Sequence, residues 1–103
     1  YIAARTDEIV QQLDQVESCI QGKDWNSAKV KVTQLKKTWD STKAKWQMLL
    51  DHEELDNIEM ALFRVMKWVD VQDDGEALAE MSTLRFFVTH IPHKEALRLD
   101  NIL

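Results

Sequence analysis

The chain has 103 residues, 45% of them apolar and 30% charged, and a formal net charge of −5. That length supports one domain around one core and is too short for two. Two Gly and one Pro argue against a turn-rich β fold, the single Cys19 excludes an internal disulfide, and the acidic balance argues against nucleic acid as a partner.

The spacing of apolar residues predicts helices throughout. Helix one is expected from about Thr6 to Gln21, burying Ile9, Leu13, Val16 and Ile20, with Ile2, Ala3 and Ala4 able to extend it backward. Cys19 on this helix reads as a packed small side chain rather than a reactive thiol. The chain starts at Tyr1 without an initiating Met, which raises the expectation of an upstream segment. No stretch approaches the roughly 20 apolar residues that span a bilayer, so an anchor would lie outside these residues.

Gly22 is the expected helix stop, and Asp24 the expected N-cap of helix two, which runs from Trp25 to about Leu50. Trp25, Ala28, Val32, Leu35, Trp39, Trp46 and Leu49 recur there at steps of three and four, with only polar Thr42 interrupting. One apolar seam of this kind needs partner helices to cover it. Asp51 followed by Glu54 resembles a capping box and predicts helix three from His52 to about Val71, with Leu55, Ile58, Leu62, Val65 and Val69 inward.

Gln72 to Gly75 forms a polar turn, and helix four carries Ala77, Met81, Leu84, Val88 and Ile91 before Pro92 ends or kinks it. A short last helix from about Lys94 to Asn101 would set Leu97, Ile102 and Leu103 against the rest. The fold class is therefore all-α: one domain over residues 1–103, an antiparallel four-helix bundle of two helical hairpins with a short C-terminal helix. Trp39, Trp46, Leu55, Ile58 and Leu84 are expected to hold its core.

The two hairpins also echo one another at an offset of 49 residues: Ile9 with Ile58, Leu13 with Leu62, Val16 with Val65, Asp24 with Asp73, Ala28 with Ala77 and Leu35 with Leu84. Because 49 is a multiple of seven, two in-phase heptad hairpins align about as well as a duplicated one, and both origins stay open. Charge divides between the halves: residues 1–50 carry a net +2 and residues 51–103 a net −7. The simplest reading places basic helix two beside acidic helix three.

Chemistry is sparse. His52, Asp56 and Glu59 stand at i, i+4 and i+7 on one side of helix three, and an antiparallel hairpin would bring His90, with His93, to the same end. Imidazoles with carboxylates suit zinc, iron or manganese, so these residues are the candidate metal ligands and the basis of an alternative reading as a metal-binding protein or metal-assisted hydrolase. The plainer assignment makes Asp51 a cap, Asp56 an acceptor for an imidazole and the other acids solvated, with no cofactor. Ser18, Ser27, Ser41 and Ser82 have no Ser/His/Asp setting, and no Gly-rich phosphate loop is present, so no catalytic residue is assigned. Lys29, Lys36 and Lys43 repeat every seven residues and read as a solvated face paired with the acids of helix three, or as an attraction to an anionic surface. An apolar patch left around Trp25 or Trp68 would predict self-association.

Trp39 and Trp46, the segment Asp51-His52-Glu53-Glu54-Leu55-Asp56-Asn57-Ile58-Glu59, then His90-Ile91 and the closing Asn101-Ile102-Leu103 together resemble the family of small Gram-positive bacterial proteins known as domain of unknown function 4363. The resemblance implies one N-terminal hydrophobic segment ahead of a helical domain, hence a membrane-anchored domain facing outward. It also sets His52, Asp56 and His90 at recurrent polar positions, without an activity attached to them. The functional expectation is a non-catalytic, membrane-tethered helical interaction or structural module with a protein partner or a second copy of itself.

Overall fold

The computed structural model of the chain describes residues 2–48 and 50–91. Leu49, the expected C-terminal helix with Leu97, Ile102 and Leu103, and the candidate His93 lie outside the described residues. Four helices follow in order: α1 (Ile2–Gln21), α2 (Trp25–Trp46), α3 (His52–Asp70) and α4 (Asp74–Thr89). α1 packs on α2 and α4, and α3 packs on α2 and α4, so the helices form a closed square in which α2 and α4 stand diagonally opposite. The described residues contain no strand, and the antiparallel bundle is the observed architecture.

The seam residues build the core. Ile9, Leu13, Val16 and Ile20 of α1 are buried, as are Leu55, Ile58, Leu62, Val65 and Val69 of α3 and Ala77, Met81, Leu84 and Val88 of α4. α2 contributes Ala28, Val32, Leu35, Trp39 and Trp46. Trp25 and Trp68, expected as possible patches, are partly buried against this core. Thr42, the polar interruption of the seam, is fully buried, and its hydroxyl donates 2.7 Å to the Thr38 carbonyl one turn back. α3 and α4 make the most extensive contact. The small buried Ala61 and Ala77 let their backbones come close, whereas α2 sends two indoles inward.

Both hairpin turns have the same construction. The Asp24 N–H donates to the Cys19 carbonyl (2.9 Å) and the Lys23 N–H to that of Ile20 (2.9 Å); the Asp73 and Gln72 N–H groups repeat this onto Trp68 (3.0 Å) and Val69 (3.1 Å). This is the paired hydrogen bonding of a Schellman motif, which needs one residue in the left-handed region. That residue is Lys23 (φ 54°) in the first turn and Gln72 (φ 59°) in the second. Gly22, the expected stop, stands one position too early and has no positive φ. Asp24 and Asp73 then cap the following helices, accepting from the Ser27 N–H (3.2 Å) and the Glu76 N–H (3.0 Å). Because glycine adopts the left-handed region without steric cost, Lys23→Gly and Gln72→Gly are each expected to raise stability by about 0.5–1 kcal/mol in urea unfolding.

Three boundaries differ from expectation. α1 begins at Ile2 rather than near Thr6, and α2 ends at Trp46 rather than near Leu50. Leu50 is nevertheless buried, with its N–H on the Trp46 carbonyl at 2.9 Å. Asp51 stands at the N-cap of α3 but makes no side-chain cap bond. Its carbonyl instead accepts from the N–H groups of Glu54 (3.2 Å) and Leu55 (3.3 Å).

Candidate functional site

The polar start of α3 divides between its two flanks. Glu59 turns toward α2, where one carboxylate oxygen accepts from the Trp39 indole N–H (3.2 Å) and the other from the Lys43 ammonium (2.9 Å). The hydrogen bond from Lys43 holds the Glu59 carboxyl below its ordinary range, against the opposing effect of burial, with Trp39 assisting. The same bond raises the Lys43 ammonium, with Asp56 adding its charge. Basic α2 therefore meets acidic α3 through a specific bridge, as the charge distribution suggested. His52 and Asp56 are exposed.

His90 belongs to the other flank. It is exposed at the C-cap of α4, its ring stacked on Phe86 with centroids 4.1 Å apart and its Nδ1 2.9 Å from the Phe86 carbonyl oxygen. Across from it on α3 stand Glu54 and Asn57, which share a groove of about 150 Å³ with Phe86, Phe87, His90 and Ile91. The expected antiparallel register thus brings His90 to the correct end of α3, but beside Glu54 and Asn57 rather than Asp56 and Glu59. His52, Asp56, Glu59 and His90 do not gather at one point. Among the described residues no group of three or more His, Cys, Asp or Glu side chains is placed to hold a metal ion.

A second groove, of about 310 Å³, continues the first along the same helix pair and is lined by Asn57, Met60, Arg64, Glu80, Thr83 and Phe87. The two share Asn57 and Phe87. Met60 and Phe86 flank them at 53% and 56% exposure, which is high for apolar side chains on a bundle that buries its seam. Arg64 and Glu80 face one another at 3.9 Å across the groove. The sequence signal for this face was present in Met60, Phe86 and Phe87, apolar residues off the heptad seam.

The remaining inter-helix polar contacts fasten the bundle. Arg85 of α4 pairs with Asp14 (2.8 Å) and Glu17 (3.1 Å) of α1. Burial pulls this guanidinium downward, but the hydrogen bonds to Glu17 and Asp14 outweigh it and raise it. Gln12 donates to the Thr38 hydroxyl (3.0 Å) between α1 and α2. The hydroxyls of Ser41 and Ser82 are bonded to carbonyls of their own helices.

No helix among the described residues is long and apolar enough to cross a membrane. Residues 1–102 match the family described as Domain of unknown function (DUF4363). No curated protein and no solved structure matches the chain.

Proposed function

The chain belongs to this family, and we propose that its domain is a non-catalytic helical interaction module, held at the outer side of a membrane by an upstream hydrophobic segment, with the α3–α4 face turned to a protein partner. One observation carries the binding reading. Two adjoining grooves run along α3 and α4, and Met60 and Phe86 beside them stay 53% and 56% exposed, an apolar surface open to a partner.

The groove itself suits a helix. From Glu54 to Arg64 it follows α3 for ten residues, or about 15 Å. An amphipathic helix of three turns has that length and would set apolar side chains against Met60, Phe86 and Phe87, with polar edges meeting Arg64 and Glu80. The tether and the outward location rest on the family resemblance.

Two measurements test this. With the full-length chain in its own cells, a photo-cross-linker at Met60 is expected to give a discrete protein adduct in the membrane fraction, and one at Gln11 on α1 is not. Recovery of the chain in the soluble fraction, or no adduct at position 60, would overturn it. The metal-stripped domain is expected to melt at an unchanged temperature with Zn, Mn, Fe, Ca or Mg. A rise for one metal, lost in His52→Ala, would restore the metal reading, since a ligand at a hundredfold over its dissociation constant stabilises by about 2.7 kcal/mol.

A further inference from the structure

We infer that the outward face of α2 is a docking surface for an anionic lipid bilayer. α2 carries six lysines against the single acid Asp40. Two of these are committed: Lys36 to Asp40 and Lys43 to Glu59. Among the described residues the other four, Lys29, Lys31, Lys37 and Lys45, are in no ion pair. Lys29, Lys37 and Lys45 are exposed and recur every eight residues, about 12 Å apart, spiralling across the half of the helix that faces away from the core.

A second observation separates a bilayer from a soluble polyanion. Val30 lies on the same outward half, at 56% exposure, and Met48, two residues beyond the end of α2, is 84% exposed. An apolar side chain gains by entering the headgroup and acyl boundary, and gains nothing from a hydrated polyphosphate. No aromatic ring stands on this outward half, so it lacks the stacking platform that single-stranded nucleic acid uses. The helix has 22 residues, a length of about 33 Å.

The acids of α4 do not oppose this orientation. Facing a surface with α2 puts α4, with Asp74, Glu76 and Glu80, on the far corner of a bundle 21 × 19 Å across. That is more than twice the screening length of about 8 Å at physiological salt. Each lysine near an anionic leaflet strengthens binding about fivefold, so Lys29, Lys37 and Lys45 together give on the order of a hundredfold. Such an attraction is weak for a free domain and decisive for orientation once a tether confines the domain to the surface. The docking itself does not rest on the tethered reading, because the face belongs to the bundle alone.

Sedimentation of the domain with phosphatidylglycerol vesicles and with phosphatidylcholine vesicles tests it. Binding to the former only, lost as salt rises, is expected. Lys29→Gln/Lys37→Gln/Lys45→Gln should weaken partitioning about a hundredfold, and Met48→Ser several-fold, while exposed Lys67→Gln on α3 should leave it unchanged. Circular dichroism checks that each variant folds, and the single Lys37→Gln, expected to lose about fivefold, serves if the triple variant does not. Absence of binding to phosphatidylglycerol, or equal losses from Lys37→Gln and Lys67→Gln, would overturn the proposal. So would undiminished binding by Met48→Ser together with equal affinity for soluble polyphosphate, which would assign the face to a dissolved polyanion.

Discussion

Trp39→Ala is expected to cost about 3–5 kcal/mol, a large part of the roughly 5–15 kcal/mol that holds a domain of this size folded. Three losses combine there. The indole is 1% exposed, so its removal opens a cavity in the middle of the α2 seam. Its ring meets Trp46 edge to face, with centroids 6.3 Å apart at 80°, a contact that adds about 0.5–1.5 kcal/mol beyond burial. Its N–H also holds one oxygen of Glu59, which would keep only the bond from Lys43. Trp39→Phe separates these contributions, because it keeps most of the ring volume and gives up the N–H; about 1–2 kcal/mol is expected. Urea unfolding measures both, with a lowered midpoint at an unchanged slope. A loss for Trp39→Ala no greater than that for half-buried Trp25→Ala would mean that the core closes around the missing ring.

The bundle could be read from spacing because burial obeys the helical repeat. The seam positions of α1, α3 and α4 from Ile9 to Val88 are buried, whereas Ile91, expected with them on helix four, lies past the end of α4 and is only partly buried. Asp24 and Asp73 could be read as caps for the same kind of reason: a short side-chain acceptor ahead of an apolar run has one nearby use. The turns were harder. Gly22 drew attention as the flexible residue, yet the Schellman geometry fixes the left-handed position by counting from the last helical carbonyl, and the count falls on Lys23. In the matching turn that count falls on Gln72, with Val71 where the first turn has Gly22. The polar cluster was harder to place for a different reason. A helical wheel shows that His52, Asp56 and Glu59 share a side of α3, and it shows nothing of which neighbour stands beside that side. In this square α2 stands there and α4 stands opposite, which is why Glu59 found Lys43 while His90 came to lie beside Glu54 and Asn57.

The same square relates the two proposed surfaces. α2 and α4 are diagonal, so a bilayer under α2 leaves the α3–α4 groove turned away from it and open to a partner. Neither surface uses the Lys43–Glu59 bridge or the pairs of Arg85 with Asp14 and Glu17. Variants that weaken those pairs are therefore expected to change stability ahead of binding, which gives the Lys43–Glu59 bridge a clean reading.

Glu59→Gln is expected to destabilise the domain by about 1–2 kcal/mol at neutral pH, and by progressively less as the pH falls. The carboxylate side chain is 24% exposed and the Lys43 side chain 31%, so solvent screens part of the attraction and the effect stays below that of a fully buried pair. The sign follows from the direction of each shift. Glu59 is held below its ordinary value of 4.5, so the folded state keeps its charge where the unfolded chain has begun to take up a proton. Its contribution is complete above that ordinary value and disappears as the pH falls through the lowered one. Lys43 is raised above its ordinary 10.5, so its contribution is complete below that value and is lost as the pH climbs through the raised one. The bridge is thus at full strength between the two ordinary values. Urea midpoints of wild type and Glu59→Gln, taken at neutral pH and again down through the carboxylate range, should converge in acid. A difference that persists after Glu59 is protonated would demote the charge on Glu59 and Lys43 to a minor part, since a neutral carboxyl and the Gln carbonyl can both accept from Trp39.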